Sequence, residues 1–351
     1  MFPAVRPTLI LDAMGADTGS AEMVAGARRA ILAANATPFQ LVVVLAEPPE
    51  LQKKYRADLE QACRGTGCNV ELLTAEPLPK DLDSPLDAYR RFPKCSVNVA
   101  MQRAKDCPDC AVISPGTTGL VMTSALFILG RVKGIDRAPI GTPMPTLGKE
   151  LFFVDGGSNV DCKALHLYQF AVLAHLYEQH VNGVERPSIA LLSNGTEDYK
   201  GEIVVKEAYR LISEDKNLNF LGYVEGHTLF DGNLDVMVCD GFIGNILLKA
   251  AEGIADALVN IFKEEFKREP LAGMAAKLFQ QRAFKRVRGR LSFEQFGGAP
   301  LLGLNGNVVI CHGRSNATAI QNALGVGYKL AQSNIARQVA QYVEGHIAKR
   351  T

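Results

Sequence analysis

The sequence predicts an α/β protein of three layers built on a mainly parallel sheet, with a helical hairpin inserted late in the chain. Short apolar runs bounded by Gly, Asp and Asn alternate with patterns of period 3.6 almost throughout, and that alternation places helices on the faces of a parallel sheet. Polar, Gly-rich turns follow many of the apolar runs, as they do where parallel strands hand over to helices. From residue 253 to 290 the helical pattern continues with no strand, broken at Pro270 and Gly273, which reads as a hairpin inserted in the body. The α/β body is then 1–252 plus 291–351, and the hairpin 253–290.

The elements follow in order. Residues 8–11 read as a strand that leads into the turn 12–17 and a helix over 20–34. A second strand over 41–45 precedes a helix from Pro49, and a third over 69–74 precedes a Pro- and Asp-rich loop to Lys94 and a helix over 97–105. Residues 111–114 form a strand that opens the apolar helix 120–129. Further strands cover 151–155, 189–192, 220–224, 236–240 and 308–312, and a long helix from Ala317 ends the chain.

Composition removes several function classes. With 351 residues, 47% hydrophobic and 21% charged, the chain has the make-up of a globular protein with a sizeable core, not of a disordered tail. Lys and Arg total 38 against 37 for Asp and Glu, so no global field attracts nucleic acid and none is expected as a partner. The longest apolar runs, 41–46 and 125–129, fall far short of the ~18 residues of a membrane-spanning helix. The N-terminal stretch 8–11 is cut by Asp12, which argues against a signal peptide and for a cytosolic chain. The eight cysteines then read as reduced thiols. Cys107 and Cys110 form a CxxC and Cys63 with Cys68 a looser pair, but no His flanks either, which disfavours zinc. Redox chemistry at the CxxC is disfavoured too, because a strand and not a helix follows it.

In an open parallel sheet, ligands bind outside the carboxyl ends of the strands. The turns there hold the candidate binding residues: Asp12, Gly15 and Asp17; Ser114, Gly116, Thr117, Thr118 and Gly119; Asp155 and Asn159; Thr196 and Glu197; Asp240, Gly241 and Gly244. The turn Ser-Pro-Gly-Thr-Thr-Gly at 114–119 is the clearest anion site, since glycines admit backbone N–H groups to an oxyanion and a helix N-terminus favours negative charge. It reads equally as a tight turn with a hydroxyl N-cap. No GxxxxGK[ST] or well-placed GxGxxG occurs, so the ligand is smaller than an NTP or a dinucleotide. Candidate catalytic groups are Lys163, Lys200, His312 and Asn245, all on or just past these turns, whereas Lys249 reads as a solvated helix residue. No metal or cofactor is expected. The segment 271–290 carries Lys277, Arg282, Lys285, Arg286, Arg288 and Arg290 with no acid. It reads either as a solvated face beside a subunit interface or as a patch for anionic lipid or an acidic protein.

At these loops the chain resembles the bacterial PlsX family of phosphate acyltransferases. The resemblance rests on LDAMGAD at 11–17, GRVKGIDR at 130–137, NVDCK at 159–163, KEAYRLI at 206–212, NFLGYVEG at 219–226, DVMVCDGFIGNILLKAAEG at 235–253 and FGGAPLLGLNG at 296–306. It implies transfer of a fatty acyl group from acyl-acyl-carrier protein to inorganic phosphate, giving acyl phosphate for phospholipid synthesis. It also implies an isocitrate dehydrogenase-like fold and a homodimer whose protruding helices, where the hairpin falls, touch the membrane. The site loops depart from the family pattern at Ala16, Thr117, Ser158, Glu202 and Cys95. The expected chemistry is direct attack of phosphate on the thioester, with no covalent enzyme intermediate. A coenzyme-A thioester donor, or a catalytically weakened paralogue that only binds carrier or membrane, are the alternatives.

Overall fold

The computed structural model describes residues 6–34, 37–79, 82, 84–197, 200–268, 295 and 297–347. Its strands fall into two sheets. The first contains β1 (Thr8–Asp12), β2 (Gln40–Leu45), β3 (Asn69–Thr74), β4 (Cys110–Ser114), β10 (Ala299–Leu301) and β11 (Asn307–Ile310), in the order β10-β11-β4-β1-β2-β3. The second contains β5 (Gly141–Met144), β6 (Leu151–Val154), β7 (Ser188–Leu192), β8 (Asn219–Val224) and β9 (Val236–Val238), in the order β5-β6-β9-β7-β8. All pairings are parallel except those of β5 with β6 and β10 with β11.

The parallel strands are covered on both faces, which is why they read as unbroken apolar runs. In β1, Leu9 and Leu11 point into a core shared with α1 (Ser20–Ala33) and α9 (Ala317–Ser333), while Ile10 points into a second core with α4 (Ser96–Ala104) and α5 (Thr118–Ile128). Helix α6 (Ala164–His180) is buried along almost its whole length against the second sheet. Helix α8 (Gly241–Arg268) closes the opposite face of that sheet through Ile243, Leu247, Leu248 and Ala251.

Sequence pattern missed both antiparallel strands. Each is short and holds a proline, Pro143 in β5 and Pro300 in β10, and each lies at a sheet edge, where proline is tolerated. These edges meet: Ile140 bridges Leu301, and Leu302 N donates to Pro139 O at 2.9 Å. The two sheets are thereby joined along one line, with a crevice above it.

Three other expectations change. The Pro- and Asp-rich loop contains α3 (Pro85–Arg91), started by Ser84, whose hydroxyl accepts from Asp87 N. The last helix breaks at Asn334, which adopts φ 51°, and resumes as α10 (Ile335–Tyr342). Cys107 and Cys110, expected as thiols, form a disulfide: a turn closed by Cys110 N to Cys107 O brings their Cα atoms to 5.4 Å. The other six cysteines are thiols. Helix α8 crosses residue 253 unbroken, so the first arm of the expected hairpin continues a body helix. Residues 269–290, with all six basic side chains of the proposed patch, lie outside the described residues.

Near the end of α6, Glu178 is 7% exposed and accepts from Asn182 Nδ2. Burial, with Asp235 and Glu150 nearby, pushes its carboxyl up to about 7. The folded state thus binds the proton more tightly than the unfolded chain, so this contribution to stability is full below the unfolded pKa and is lost as pH rises through about 7. The loss is on the order of 3 kcal/mol at most. Thermal unfolding followed from pH 5 to 8 should show a falling Tm, with a shallower fall in Glu178→Gln; equal slopes would contradict the assignment.

Candidate active site

The crevice is built from two sets of loops. In the first sheet β11, β4 and β1 are neighbours and parallel, so their carboxyl ends emerge side by side. Asp12 ends β1 and Ser114 ends β4, both fully buried. Ser114 Oγ donates to Asp12 Oδ2 at 2.6 Å and accepts from Gly116 N at 3.1 Å, while Met14 N donates to Asp12 Oδ1 at 3.1 Å. The first turn lies against the second: a Cβ at Gly15, where φ is +80°, would stand 3.0 Å from Gly116 Cα. Gly116 spends its N–H on Ser114, so the donors left for a ligand are those of the following helix. Thr117, the N-cap of α5, makes no side-chain cap hydrogen bond. The N–H groups of Thr118, Gly119 and Leu120 have no intrahelical acceptor by helix geometry. This turn is therefore a helix N-terminus without its own cap, open to an anion, and Thr118 faces the cavity.

In the second sheet the organiser is Asp155, fully buried just past β6. Its Oδ1 accepts from the N–H groups of Ile140, Gly157 and Ser158, and its Oδ2 from Asn159 N and Nδ2 at 2.7 and 2.8 Å. Asn159 O in turn accepts from Gly241 N at 2.8 Å, which fixes the start of α8. Gly244 packs on this knot, since any Cβ there would collide with the Asp155 carbonyl oxygen. Asp240 Oδ1 caps the helix by accepting from Phe242 N and Ile243 N. One face of α8, with Asn245, Leu248, Lys249, Glu252 and Ala255 at helical spacing, is thereby held against the crevice.

Between the two loop sets lies a cavity of about 460 Å³. Ile140, Met144, Phe230, Leu248, Ala255, Ala299, Ile310 and Ala319 give it apolar walls, and Thr118, Asn245, Lys249, Glu252, His312 and Ser315 give it polar groups. Lys249 Nζ pairs with Glu252 Oε2 at 3.1 Å. His312 Nδ1 accepts from Arg314 N at 3.1 Å, which assigns the proton of the neutral ring to Nε2. Burial lowers the His312 pKa, and the positive charges of Arg314 and Lys249 lower it further against the opposing Glu252 and Asp17. The ring is therefore a neutral hydrogen-bond donor at neutral pH. An apolar cavity with donors and one cation on its lining suits a ligand with an apolar tail and an anionic or polarised head.

The cavity brings together Thr118, Asn245 and His312 from the residues the sequence singled out. Asp12, Ser114, Gly116, Asp155, Asn159, Asp240, Gly241 and Gly244 lie beneath or behind its wall as a scaffold. Asp155 in particular has both oxygens filled by its own loop. Gly15, Asp17, Thr117 and Gly119 belong to the adjoining turns; Asp17 N donates to Gly313 O, tying the first turn to the last. Lys163, Lys200, Thr196 and Glu197 lie on the second sheet's loops and do not line the cavity. Lys163 is an exposed N-cap whose backbone N donates to His166 Nδ1, and Lys200 packs over Gly195. Lys249, read from sequence as solvated, is exposed as expected and also borders the cavity. Its spacing of four from Asn245 was the available signal.

A profile of the family described as "Fatty acid synthesis protein" matches residues 8–338. The phosphate acyltransferase of Pelotomaculum thermopropionicum is 39% identical over 336 residues, spanning 96% of this chain and 95% of the relative. That of Campylobacter concisus is 38% identical over 345 residues, spanning 97% and 99%. Among solved structures, EutD phosphotransacetylase from Staphylococcus aureus superposes with a TM-score of 0.58 at 16% identity, over 93% of this chain and 95% of that one. A branched-chain phosphotransacylase from Enterococcus faecalis V583 does so with a TM-score of 0.56 at 13% identity, over 93% and 99%. At these identities the likeness is one of fold.

Proposed function

This chain belongs to the fatty acid synthesis protein family, the PlsX phosphate acyltransferases, and on that premise we propose that it moves a fatty acyl group from acyl-acyl-carrier protein to inorganic phosphate. The observation that carries the reading is the apolar cavity of about 460 Å³ with the uncapped N-terminus of α5, Asn245, Lys249 and His312 grouped on it. An acyl chain fits the walls, and phosphate fits the helix N-terminus beside a lysine.

A phosphate oxygen attacks the thioester carbonyl carbon, forming the C–O bond of the acyl phosphate. The tetrahedral oxyanion then collapses, the C–S bond breaks, and the proton carried by phosphate ends on the departing thiol. A thiol of pKa ~8.5 is a fair leaving group, so no enzyme nucleophile is required. Neutral His312, through Nε2–H, and Asn245, through its amide, are the donors for the oxyanion. Lys249 balances the charge of phosphate, exchanging Glu252 for it. Holding the two reactants in line supplies ~7–11 kcal/mol and one oxyanion donor ~3–4 kcal/mol, enough without a catalytic triad. Lys163 and Lys200, which do not line the cavity, make no contact with the reactants in this reading.

The reading extends to assembly and place: a cytoplasmic homodimer with peripheral contact to anionic membrane. Ile254, Leu258, Ile261 and Phe262 are exposed along α8 and call for cover. No helix among the described residues is long and apolar enough to cross a membrane.

Purified protein given phosphate and either acyl-acyl-carrier protein or acyl-coenzyme A should make acyl phosphate from the carrier thioester. Turnover from coenzyme A alone would move the assignment to the second donor, and carrier binding without turnover to the non-catalytic alternative. Asn245→Ala and His312→Ala should each lower kcat about 10²- to 10³-fold, as loss of an oxyanion donor does. Lys249→Ala should cost more in kcat/KM than Lys163→Ala or Lys200→Ala; the reverse order would place phosphate on the second sheet's loops. Flotation with anionic but not neutral vesicles, weakened by salt and by Lys285→Glu with Arg286→Glu, is the expected membrane behaviour. Equal flotation with both vesicle types would reject the electrostatic contact.

A further inference from the structure

We infer that Asp12 is a positioning residue for phosphate: through Ser114 it fixes the turn that aims the N-terminus of α5 into the cleft, although neither side chain reaches the ligand. The inference rests on the phosphate-transfer reading, which supplies the ligand being positioned. Three observations support it. Asp12 and Ser114 are both 0% exposed, so neither can touch a substrate in the cavity. They are chained in one direction, Gly116 N to Ser114 Oγ at 3.1 Å and Ser114 Oγ to Asp12 Oδ2 at 2.6 Å. The first turn is pinned to the same place, by Met14 N on Asp12 Oδ1 and by the contact of Gly15 with Gly116.

A carboxylate is acceptor-only, so ionised Asp12 draws the single hydroxyl proton of Ser114 toward itself and leaves an Oγ lone pair for the Gly116 N–H. A neutral Asp12 can donate instead. The hydroxyl proton of Ser114 is then free to turn and the charge-assisted link of the chain is gone; Oγ, with two lone pairs, still accepts from the Gly116 N–H, but its orientation is no longer fixed by the carboxylate. The helix N-terminus is left on a looser turn.

This device works in a titrating range. Burial raises Asp12 to about 6, against hydrogen bonds from Ser114, Ser96 and Met14 that lower it. The titratable groups facing it are the Cys95 thiol at the start of α4 and the Cys311 thiol past β11, and burial keeps both protonated. Above pH 6 the carboxylate holds the turn; below it the hold is lost. The ionised form is also the form that burial disfavours, so the fold keeps a charge here at a cost in stability.

The test compares wild type with Asp12→Asn, measuring phosphate KM and kcat for acyl phosphate formation from pH 5 to 8 and, on the same proteins, the calorimetric Kd for inorganic phosphate. At pH 8 the variant should show a phosphate KM and Kd raised about 10- to 100-fold, the range for one hydrogen bond to a charged group, with a smaller change in kcat. The ratio of variant to wild type should shrink toward one at pH 5, where wild-type Asp12 is neutral too. Phosphate itself titrates in this range, but identically for both proteins, so the ratio isolates Asp12. The Tm of Asp12→Asn at pH 8 should be no lower than wild type, unlike that of a residue kept only for stability. Ser114→Ala cuts the same chain at its other link and should raise KM alike, which carries the test if Asp12→Asn does not fold. A ratio near one at pH 8, or one that stays constant with pH, overturns the inference while leaving the transfer reading intact. No acyl phosphate from either thioester would instead sink that reading, and the calorimetric Kd series would still decide the role of Asp12. A wild type that binds no phosphate overturns both.

Discussion

The carboxylate of Asp155, sealed from solvent, accepts from the backbone N–H groups of Ile140, Gly157, Ser158 and Asn159 and from the Asn159 amide. Most of the site depends on that saturation. A buried carboxylate short of donors would be costly, so the loop after β6 has little freedom to adopt another path. Through Ile140 the knot reaches the edge where the two sheets meet, and through Asn159 O it sets the first residue of α8. The positions of Asn245 and Lys249, one and two turns into that helix, follow from where it begins.

Two buried aspartates at equivalent strand ends thus do different work. Asp155 is filled by its own loop and holds the second sheet's wall rigidly. Asp12 is held mainly by hydroxyls and one N–H and stays close enough to its titration to respond to pH. Neither contacts the cavity, yet between them they place the helix N-terminus, the amide and the lysine that do. Backbone and side-chain donors held in this way need little reorganisation when charge develops on a reacting carbonyl.

How much of this could be read beforehand follows from the physics of each element. β1, β2 and β4 are plain in the sequence because both faces are covered and the runs are uniformly apolar, and the turns after them stand at the carboxyl edge of the sheet. β5 and β10 were hidden because a three- or four-residue edge strand with a proline carries neither the apolar run nor the alternation of a core strand. The polar residues of the turns were visible but not the direction each one faces. Asp12 and Ser114 point inward to each other, whereas Lys249, an exposed residue unremarkable in a helical pattern, borders the cavity because Asp155 sets the start of its helix. The disulfide between Cys107 and Cys110 depends on a turn closing their separation, which spacing allows but does not require.

The central claim is that phosphate sits against the first turn of α5, between Lys249 and the donors Asn245 and His312, with the acyl chain along the apolar wall. A crystal structure of the protein soaked with inorganic phosphate and a non-transferable thioether analogue of the acyl donor tests it most directly. The account predicts anion density within hydrogen-bond distance of the N–H groups of Thr118, Gly119 and Leu120, and apolar density between Met144, Leu248 and Ala319. Phosphate held instead by Lys163 or Lys200, with the helix N-terminus vacant, would contradict it.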